Sequence, residues 1–340
     1  PMSEQLDVLV VGGGSFGTAL ASILAEQGRR INMWVRRQEQ ADEINEQHSN
    51  TRYLPEGKLP ENLRATCDLA EAVRRSPVIL MSVPSKSFRE VARQVGDKLT
   101  GDQILVHTTK GIEVDSFKRM SQVLKEETCA LKIGVLSGPN LAKELMAGHP
   151  AGALVASRYQ QVTRAAQALF AGSRPRVYGG RDVIGTEFGG AFKNIIALAA
   201  GVANGLGFGD NTKALLITRG LSEMARFGVA VGADVFTFGG LAGIGDLMAT
   251  CASPLSRNHQ VGVRLAKGEK LSEILEKVAQ VAEGVPTTQA VWKRAQHMGL
   301  DLPIVEAVHG MLYEDLEPKE AVSQLMQLEV SSELAALRYR

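Results

Sequence analysis

The sequence predicts a mostly parallel, doubly wound α/β sheet followed by an all-helical domain. Three observations carry that prediction. Through the first half, short runs rich in Val, Ile and Leu alternate with stretches of helical periodicity, the order of a parallel sheet covered by helices on both faces. From about Val183 onward, β-branched alternation disappears and apolar residues recur at helical spacing. The length, 340 residues, suits two domains.

Strands are expected at residues 8–11, 31–35, 78–83, 104–108, 133–136 and 153–156, with a further short one at 176–178. Helices are expected at 18–27, 38–46, 86–98, 117–126, 141–147 and 159–170. The second domain is expected to hold helices at 183–206, 212–227, 234–238, 256–267, 271–277, 287–298, 304–313 and 318–328. The boundary falls within 179–185, giving a first domain over 2–181, a second over 182–330 and a poorly ordered tail over 331–340. Residues 188–208 are mostly apolar, but Lys193, Asn194 and Asn204 interrupt them and several glycines run through them. A membrane span needs about 20 predominantly apolar residues, so this stretch predicts a buried, tightly packed helix.

Composition narrows the classes of function. The chain is 44% hydrophobic and 22% charged with a formal net charge of +1, which gives no reason to expect nucleic acid or an acidic membrane surface as partner. Cys67, Cys129 and Cys251 lie far apart, an odd count with no C-x-x-C spacing. That argues against a disulfide framework or a zinc site and fits a reducing compartment. The N-terminus lacks the basic and long apolar regions of a secretory signal, and Pro1 ahead of Met2 reads as an addition to the natural start.

The first apolar run leads into Gly12-Gly13-Gly14-Ser15-Phe16-Gly17, and an alanine-rich helical pattern follows at once. Strand, glycine turn and helix in that order are the context of the dinucleotide fingerprint of Rossmann folds. Gly12 permits the tight turn, Gly14 lets backbone approach a pyrophosphate, and Gly17 lets the helix pack close to the strand. The helix N-terminus offers unpaired N–H groups to the phosphates. The alternative is a glycine-rich turn with no ligand. An NAD-binding fold places an acidic residue about 20 positions on. Here that region reads Arg36-Arg37, with no acid, which suits the 2′-phosphate of NADP because a guanidinium can hold it in a bidentate way. A solvated basic strand end is the alternative. Trp34 could flank an adenine or belong to the core.

In an open α/β sheet, ligands sit beyond the carboxyl ends of the strands. Lys110, in Thr109-Lys110-Gly111, is a cation at such a strand end, although a surface role is the commoner fate of a lone lysine there. Lys193 interrupts the apolar helical run. A lysine there is costly unless paired or lining a cavity, and burial or a neighbouring cation would lower its pKa and suit it to proton transfer. A lysine on the solvated side of the helix is the other reading. Asp246 follows a glycine turn and could act with these lysines or serve as an ordinary helix N-cap. Ser256-Arg257-Asn258 could form an anion clamp with Arg257 as the fork, or a capped, solvated helix start.

These motifs together resemble the bacterial NAD(P)-dependent sn-glycerol-3-phosphate dehydrogenases. The matching segments run in order from Gly12 to Gly284: 12–18, 109–111, 137–139, 142–144, Lys193-Asn194, 241–247, 256–258 and 281–284. The resemblance implies reversible reduction of dihydroxyacetone phosphate to sn-glycerol 3-phosphate, supplying phospholipid synthesis, by a cytoplasmic homodimer with no integral membrane association. It implies Lys193 as the catalytic acid/base and Lys110 in contact with both substrate and cofactor; on the residues themselves, Lys110 would add positive charge beside Lys193, and Asp246 could offset that charge and hold Lys193 in place. Arg257 and Asn258 would hold the substrate phosphate, Ser256 joining them only in the clamp read from the residues, and Gly138 and Asn140 would line the substrate site. Cofactor contacts would come from Ser15, Phe16, Arg36, Arg37, Ala142, Arg257, Val281 and Glu283 beside the glycines. The family often has Ser or Thr where this chain has Asn140; a carboxamide can still hydrogen-bond a substrate. The Arg36 position varies in the family, so the preference for NADP over NAD rests on this chain's own residues. Other readings are a hydroxyacid, sugar-phosphate or ketopantoate-type dehydrogenase of similar fold, and a non-catalytic NADP-binding sensor. The 256–258 clamp together with Lys110 distinguishes the first reading from the dehydrogenases. Retention of Lys193, Lys110 and Asp246 together distinguishes it from the sensor.

Overall fold

A computed structural model describes residues 7–277 and 282–327. The chain divides into two compact units, the first running through Thr109 and again over Met120–Val183, the second comprising Lys110–Arg119 and the chain from Ile184 on.

In the first unit β1 (Val8–Val11), α1 (Ser15–Glu26), β2 (Ile31–Trp34), α2 (Gln38–Asp42), β3 (Arg64–Thr66), α3 (Leu69–Arg74), β4 (Val78–Met81), α4 (Ser85–Gly96) and β5 (Ile104–His107) alternate strand and helix. After two short strands of the second unit, β6 (Ile112–Glu113) and β7 (Lys118–Arg119), the first unit resumes. It continues with α5 (Met120–Glu127), β8 (Ile133–Ser137), α6 (Ala142–Met146), β9 (Gly152–Ala156), α7 (Gln160–Leu169) and β10 (Arg176–Gly180). The eight-stranded sheet has the order β10-β9-β8-β5-β4-β1-β2-β3. Neighbours are parallel except at β8–β9, where the pair is antiparallel. Both faces are covered, so the central strands β1, β4, β5 and β8 are buried on both sides, while the edge strands β3 and β10 stay partly exposed. Val8 and Val10 of β1 enter one core and Leu9 and Val11 the other, which is why these strands read as continuous apolar runs. The order reverses between β1 and β4, and that is where such sheets take their ligands.

The second unit is built on α8 (Val183–Gly205). Around it lie α9 (Asp210–Ala230), α10 (Val235–Phe238), a helical turn over Leu241–Gly245, α11 (Asp246–Ala252) and α12 (Arg257–Ala266). Then follow α13 (Leu271–Lys277), α14 (Gly284–Met298), α15 (Pro303–Tyr313) and α16 (Pro318–Met326). Residues 186–203 of α8 are all buried, as the apolar, glycine-bearing stretch predicts. Phe188, Phe192, Ile195 and Leu198 form its core with Phe227 of α9 and Val261 of α12. Glu223 of α9 is buried and accepts hydrogen bonds from the backbone N–H groups of Ile304 and Val305 (2.7 and 3.2 Å), satisfying the first turn of α15. Burial pushes its carboxyl up to about 8, against those two donors.

The structure departs from expectation in four places. β3 and α3 are unforeseen; both are short, and Asn45 holds the β3 backbone through Ala65 N–H and C=O (2.8 and 2.9 Å). The helix expected at 117–126 is split, with Phe117 at a left-handed φ of 55° and Arg119 in β7 before α5 begins. The second unit is therefore not purely helical, because residues 110–119, placed in the first domain by chain order, contribute a hairpin to it. The glycine turn before Asp246 is a helical turn kinked at Gly243 (φ −102°, ψ −106°), and Asp246 itself lies inside the first turn of α11. The tail at 331–340, the end of the last expected helix and Val281 lie outside the described residues.

Candidate active site

The glycine turn follows β1 directly. Gly12 has φ +115°, a conformation other residues rarely adopt, and a Cβ on it would fall on the Ser82 carbonyl that follows β4. A Cβ on Gly17 would fall on the Gly12 carbonyl, so α1 packs against the turn itself. Around Gly14 the situation is opposite: nothing lies within 4 Å of the position its Cβ would take. Gly14 caps α1 without a side-chain hydrogen bond, and no acidic residue occupies the first turn. The 12-residue helix thus presents its N–H groups and positive dipole end to open space. That fits the pyrophosphate of a dinucleotide.

Side chains brace this turn. Gln40 and Asn50 both donate to the Gly13 carbonyl (2.8 and 3.0 Å), and Asn50 also donates to the Thr18 hydroxyl (2.8 Å). The Ser15 hydroxyl donates to the Tyr53 carbonyl (2.8 Å), and Phe16 is half-buried. Gln40, Asn50 and Tyr53 were not foreseen as supports, because each meets the turn only through the fold. Arg36 and Arg37 are exposed immediately after β2. Trp34 is a core residue whose indole N–H donates to the Cys67 carbonyl (3.2 Å). At the carboxyl end of β8, Gly138 has φ +132°, and Asn140 is buried with both amide atoms lacking a hydrogen-bond partner among the described residues. Ala142 opens α6, which packs on α1.

In the second unit one carboxylate gathers two ammonium groups. Lys193 Nζ donates to Asp246 Oδ1 (2.5 Å) and Lys110 Nζ to Asp246 Oδ2 (2.6 Å). The Asp246 side chain is 2% exposed, that of Lys193 6% and that of Lys110 19%, so the pair is well buried and Lys110 keeps access to solvent. Lys193 also donates to the Thr250 hydroxyl (2.6 Å), which donates in turn to the Asp246 carbonyl (2.6 Å). Desolvation lowers the Lys193 pKa to about 8; Asp246 opposes the shift and the charge of Lys110 adds to it. Two cations on one anion leave the cluster a net positive charge. Two of the three Lys193 donors are engaged with Asp246 and Thr250.

An amide chain runs beside this cluster. Asn194 donates to the Lys110 carbonyl (3.1 Å), Asn258 donates to Asn194 Oδ1 (2.9 Å), and Gly284 N–H donates to Asn258 Oδ1 (2.8 Å). Ser256 caps α12, accepting from His259 N–H (3.3 Å). Arg257, at the first position of α12, is exposed; partial desolvation lowers its pKa and the nearby carboxylate of Glu283 opposes that. Thr250 and Asn194 are the members that residue-by-residue reading did not single out as site residues. Asp246 and Thr250 lie four apart on one helix, a spacing that could have paired them.

These arrangements put the chain among the Rossmann-type nicotinamide-dependent dehydrogenases. A family profile described as NAD-dependent glycerol-3-phosphate dehydrogenase N-terminus matches residues 7–163, and the corresponding C-terminus profile matches residues 182–323. The chain belongs to the NAD-dependent glycerol-3-phosphate dehydrogenase family. It is 45% identical over 333 residues to a protein of Teredinibacter turnerae named glycerol-3-phosphate dehydrogenase [NAD(P)+], covering 98% of each chain. It is 46% identical over 335 residues to the protein of that name from Lysinibacillus sphaericus, covering 98% of this chain and 99% of the relative. The crystal structure of glycerol-3-phosphate dehydrogenase from Coxiella burnetii superimposes with a TM-score of 0.91 at 36% identity, over 95% of this chain and 99% of that one. A ketopantoate reductase from Ralstonia eutropha shares the fold alone, with a TM-score of 0.57 at 13% identity.

Proposed function

We propose that this protein catalyses the reversible, NAD(P)H-dependent reduction of dihydroxyacetone phosphate to sn-glycerol 3-phosphate, the precursor of glycerophospholipids. The observation that carries the reading is the buried pairing of Lys193 and Lys110 on Asp246, in a chain whose full-length relatives bear the corresponding name. Residues 2–181 serve as the dinucleotide-binding domain and 182–330 as the substrate domain, with the Lys110–Arg119 hairpin working in the latter.

The bound nicotinamide supplies or takes up the hydride. The proton is the business of Lys193. Its third N–H reaches the carbonyl oxygen of the substrate, gives up a proton as the alcohol forms, and recovers it in the reverse direction. Lys110 adds positive charge that stabilises the developing alkoxide and keeps the Lys193 proton transferable. Asp246 holds both ammoniums at fixed positions. Ser256, Arg257 and Asn258 take the phosphate, a non-reacting handle whose binding energy orients the carbonyl. Gly138 and Asn140 line the substrate site, and the unsatisfied carboxamide of Asn140 suits a hydroxyl that can both give and accept a hydrogen bond. Gly12, Gly14, Ser15, Phe16, Gly17 and Ala142 hold the dinucleotide with Lys110, Arg257 and Glu283. Arg36 and Arg37 receive the 2′-phosphate and make NADP the preferred form. The enzyme works in the cytoplasm as a homodimer.

The test is the absorbance of reduced nicotinamide, with dihydroxyacetone phosphate and unphosphorylated dihydroxyacetone compared and NADPH and NADH in parallel. Oxidation with the phosphate ester alone, faster with NADPH, is the expected result, and Arg36→Ala should narrow the NADPH advantage by about tenfold or more. Equal rates with both ketones would remove the phosphate clamp from the account.

A further inference from the structure

Lys110 opens a ten-residue segment, Lys110–Arg119, that is fixed to the second unit at both ends. At the near end its ammonium pairs with Asp246 and its carbonyl accepts from Asn194. At the far end the Arg119 guanidinium pairs with Glu187 of α8, the two side chains only 14% and 3% exposed. Phe117 stacks on Phe188 (centroids 5.9 Å) and meets Phe227 edge-on (6.0 Å), and the Arg294 guanidinium lies over the Phe117 ring, 5.6 Å from its centre. The β6–β7 ladder pairs Ile112 with Arg119 and Glu113 with Lys118, so the far anchor connects directly to the residue two places after Lys110. Ile112 is itself buried in the helical core. One helix, α8, therefore carries Glu187 and Phe188 at one end of the arm and Lys193 and Asn194 at the other.

We infer that Arg119, Glu187 and Phe117 are positioning residues of the reaction: they fix the register of the hairpin and thereby hold the Lys110 ammonium on Asp246. The inference rests on the role given to Lys110 above. A buried ion pair is poor value as a source of stability, since an apolar pair of similar volume often serves as well or better. What it adds is direction. A two-stranded hairpin of two-residue strands has too short a ladder to fix its own register, so the ion pair acts with buried Ile112 and Phe117 to set it. A slip of one residue would turn every side chain to the other face and carry the chain about 3.3 Å along the strand. Lys110 would then lose Asp246, and Asn194 would lose its carbonyl partner.

The experiment replaces the pair as a unit, Arg119→Met with Glu187→Leu, so that no buried charge is left alone. It reads amide hydrogen exchange over residues 110–113, kcat, substrate KM, cofactor Kd and Tm. The expected result is faster exchange and a kcat lowered about tenfold or more, with cofactor Kd shifted no further than in Lys110→Ala and Tm within a few degrees. In a Lys110→Ala background the same double replacement should lower kcat no further, because two changes acting through one group do not add. Phe117→Leu, a milder change, should move exchange and kcat in the same direction, and Arg119→Lys should retain most of the wild-type rate. Unchanged exchange and unchanged kcat in both the double variant and Phe117→Leu would overturn the inference, as would an equal loss of kcat with and without Lys110. Faster exchange with kcat unchanged would overturn the positioning role, whereas an unchanged kcat in Lys110→Ala itself would overturn the role of Lys110 in the proposed reaction.

Discussion

The chemistry concentrates on one nitrogen. Lys193 is buried among apolar side chains of α8, and the desolvation that makes it expensive also brings its pKa to about 8. As proton donor in ketone reduction it must be charged, so kcat/KM in that direction should fall as pH rises through about 8. As acceptor in alcohol oxidation it must be neutral, so the reverse rate should rise through the same range. Paired pH profiles in the two directions measure this, and coincident profiles would dissociate Lys193 from proton transfer. Lys193→Met should lower kcat by about 10²–10⁴-fold, the usual contribution of a positioned acid or base. It should leave the fold intact, because Asp246 keeps Lys110 as its counter-charge. Lys193 was legible because a charge stands out in an apolar helix. Thr250 was not, since a threonine between Ala249 and Cys251 looks like any core threonine until Lys193 is seen to donate to it.

Among the elements, α8 acts as the ruler of the second unit. A Cβ on Gly189 would fall on the Ala242 carbonyl, so the helix and the kinked turn touch there backbone to backbone. Four residues further along each chain stand Lys193 and Asp246. The contact at Gly189 therefore sets the distance between the acid/base and its carboxylate. Gly189→Ala should separate them, costing about 1–3 kcal/mol as overpacking usually does and lowering kcat together with Tm. Gly209→Ala, where an added methyl meets nothing within 4 Å, is the control and should change neither. Calorimetry and steady-state kinetics on the two variants decide it. The main strands and long helices were legible because burial imposes periodicity on them. β3 and β7 were not, being three and two residues long. For α3 a local signal existed: Asp68 accepts from the Glu71 N–H at 2.9 Å, a cap three residues ahead of an acidic side chain.

The molecule as a whole has two compact units, but only one change of pattern, near Val183, shows in the sequence. The return of Lys110–Arg119 to the second unit is invisible there, because Glu187, Phe188 and Asp246, which hold that segment, lie far along the chain. The second unit is thus discontinuous, and a polypeptide of residues 184–340 alone lacks its hairpin. Such a fragment would keep Glu187 without its guanidinium and leave Phe188 and Phe227 uncovered. It should bind a hydrophobic dye and melt without a cooperative transition. The same fragment joined through a flexible linker to residues 110–119 should melt cooperatively, and identical melts of the two would show that the hairpin contributes nothing to that unit.

The same discontinuity bears on how the protein is made. During synthesis the decapeptide emerges 65 residues before Ile184 and 127 before Asp246. At ~5–20 residues per second, its lysine, arginine and phenylalanine wait several seconds or longer for their partners. Throughout that interval the nascent first unit must keep a loop that belongs elsewhere. A ribosome paused anywhere in α8 would hold a largely complete sheet with one unfinished excursion, open to chaperones and to proteolysis at Lys110, Lys118 and Arg119. Completion of α11, and no earlier event, closes it.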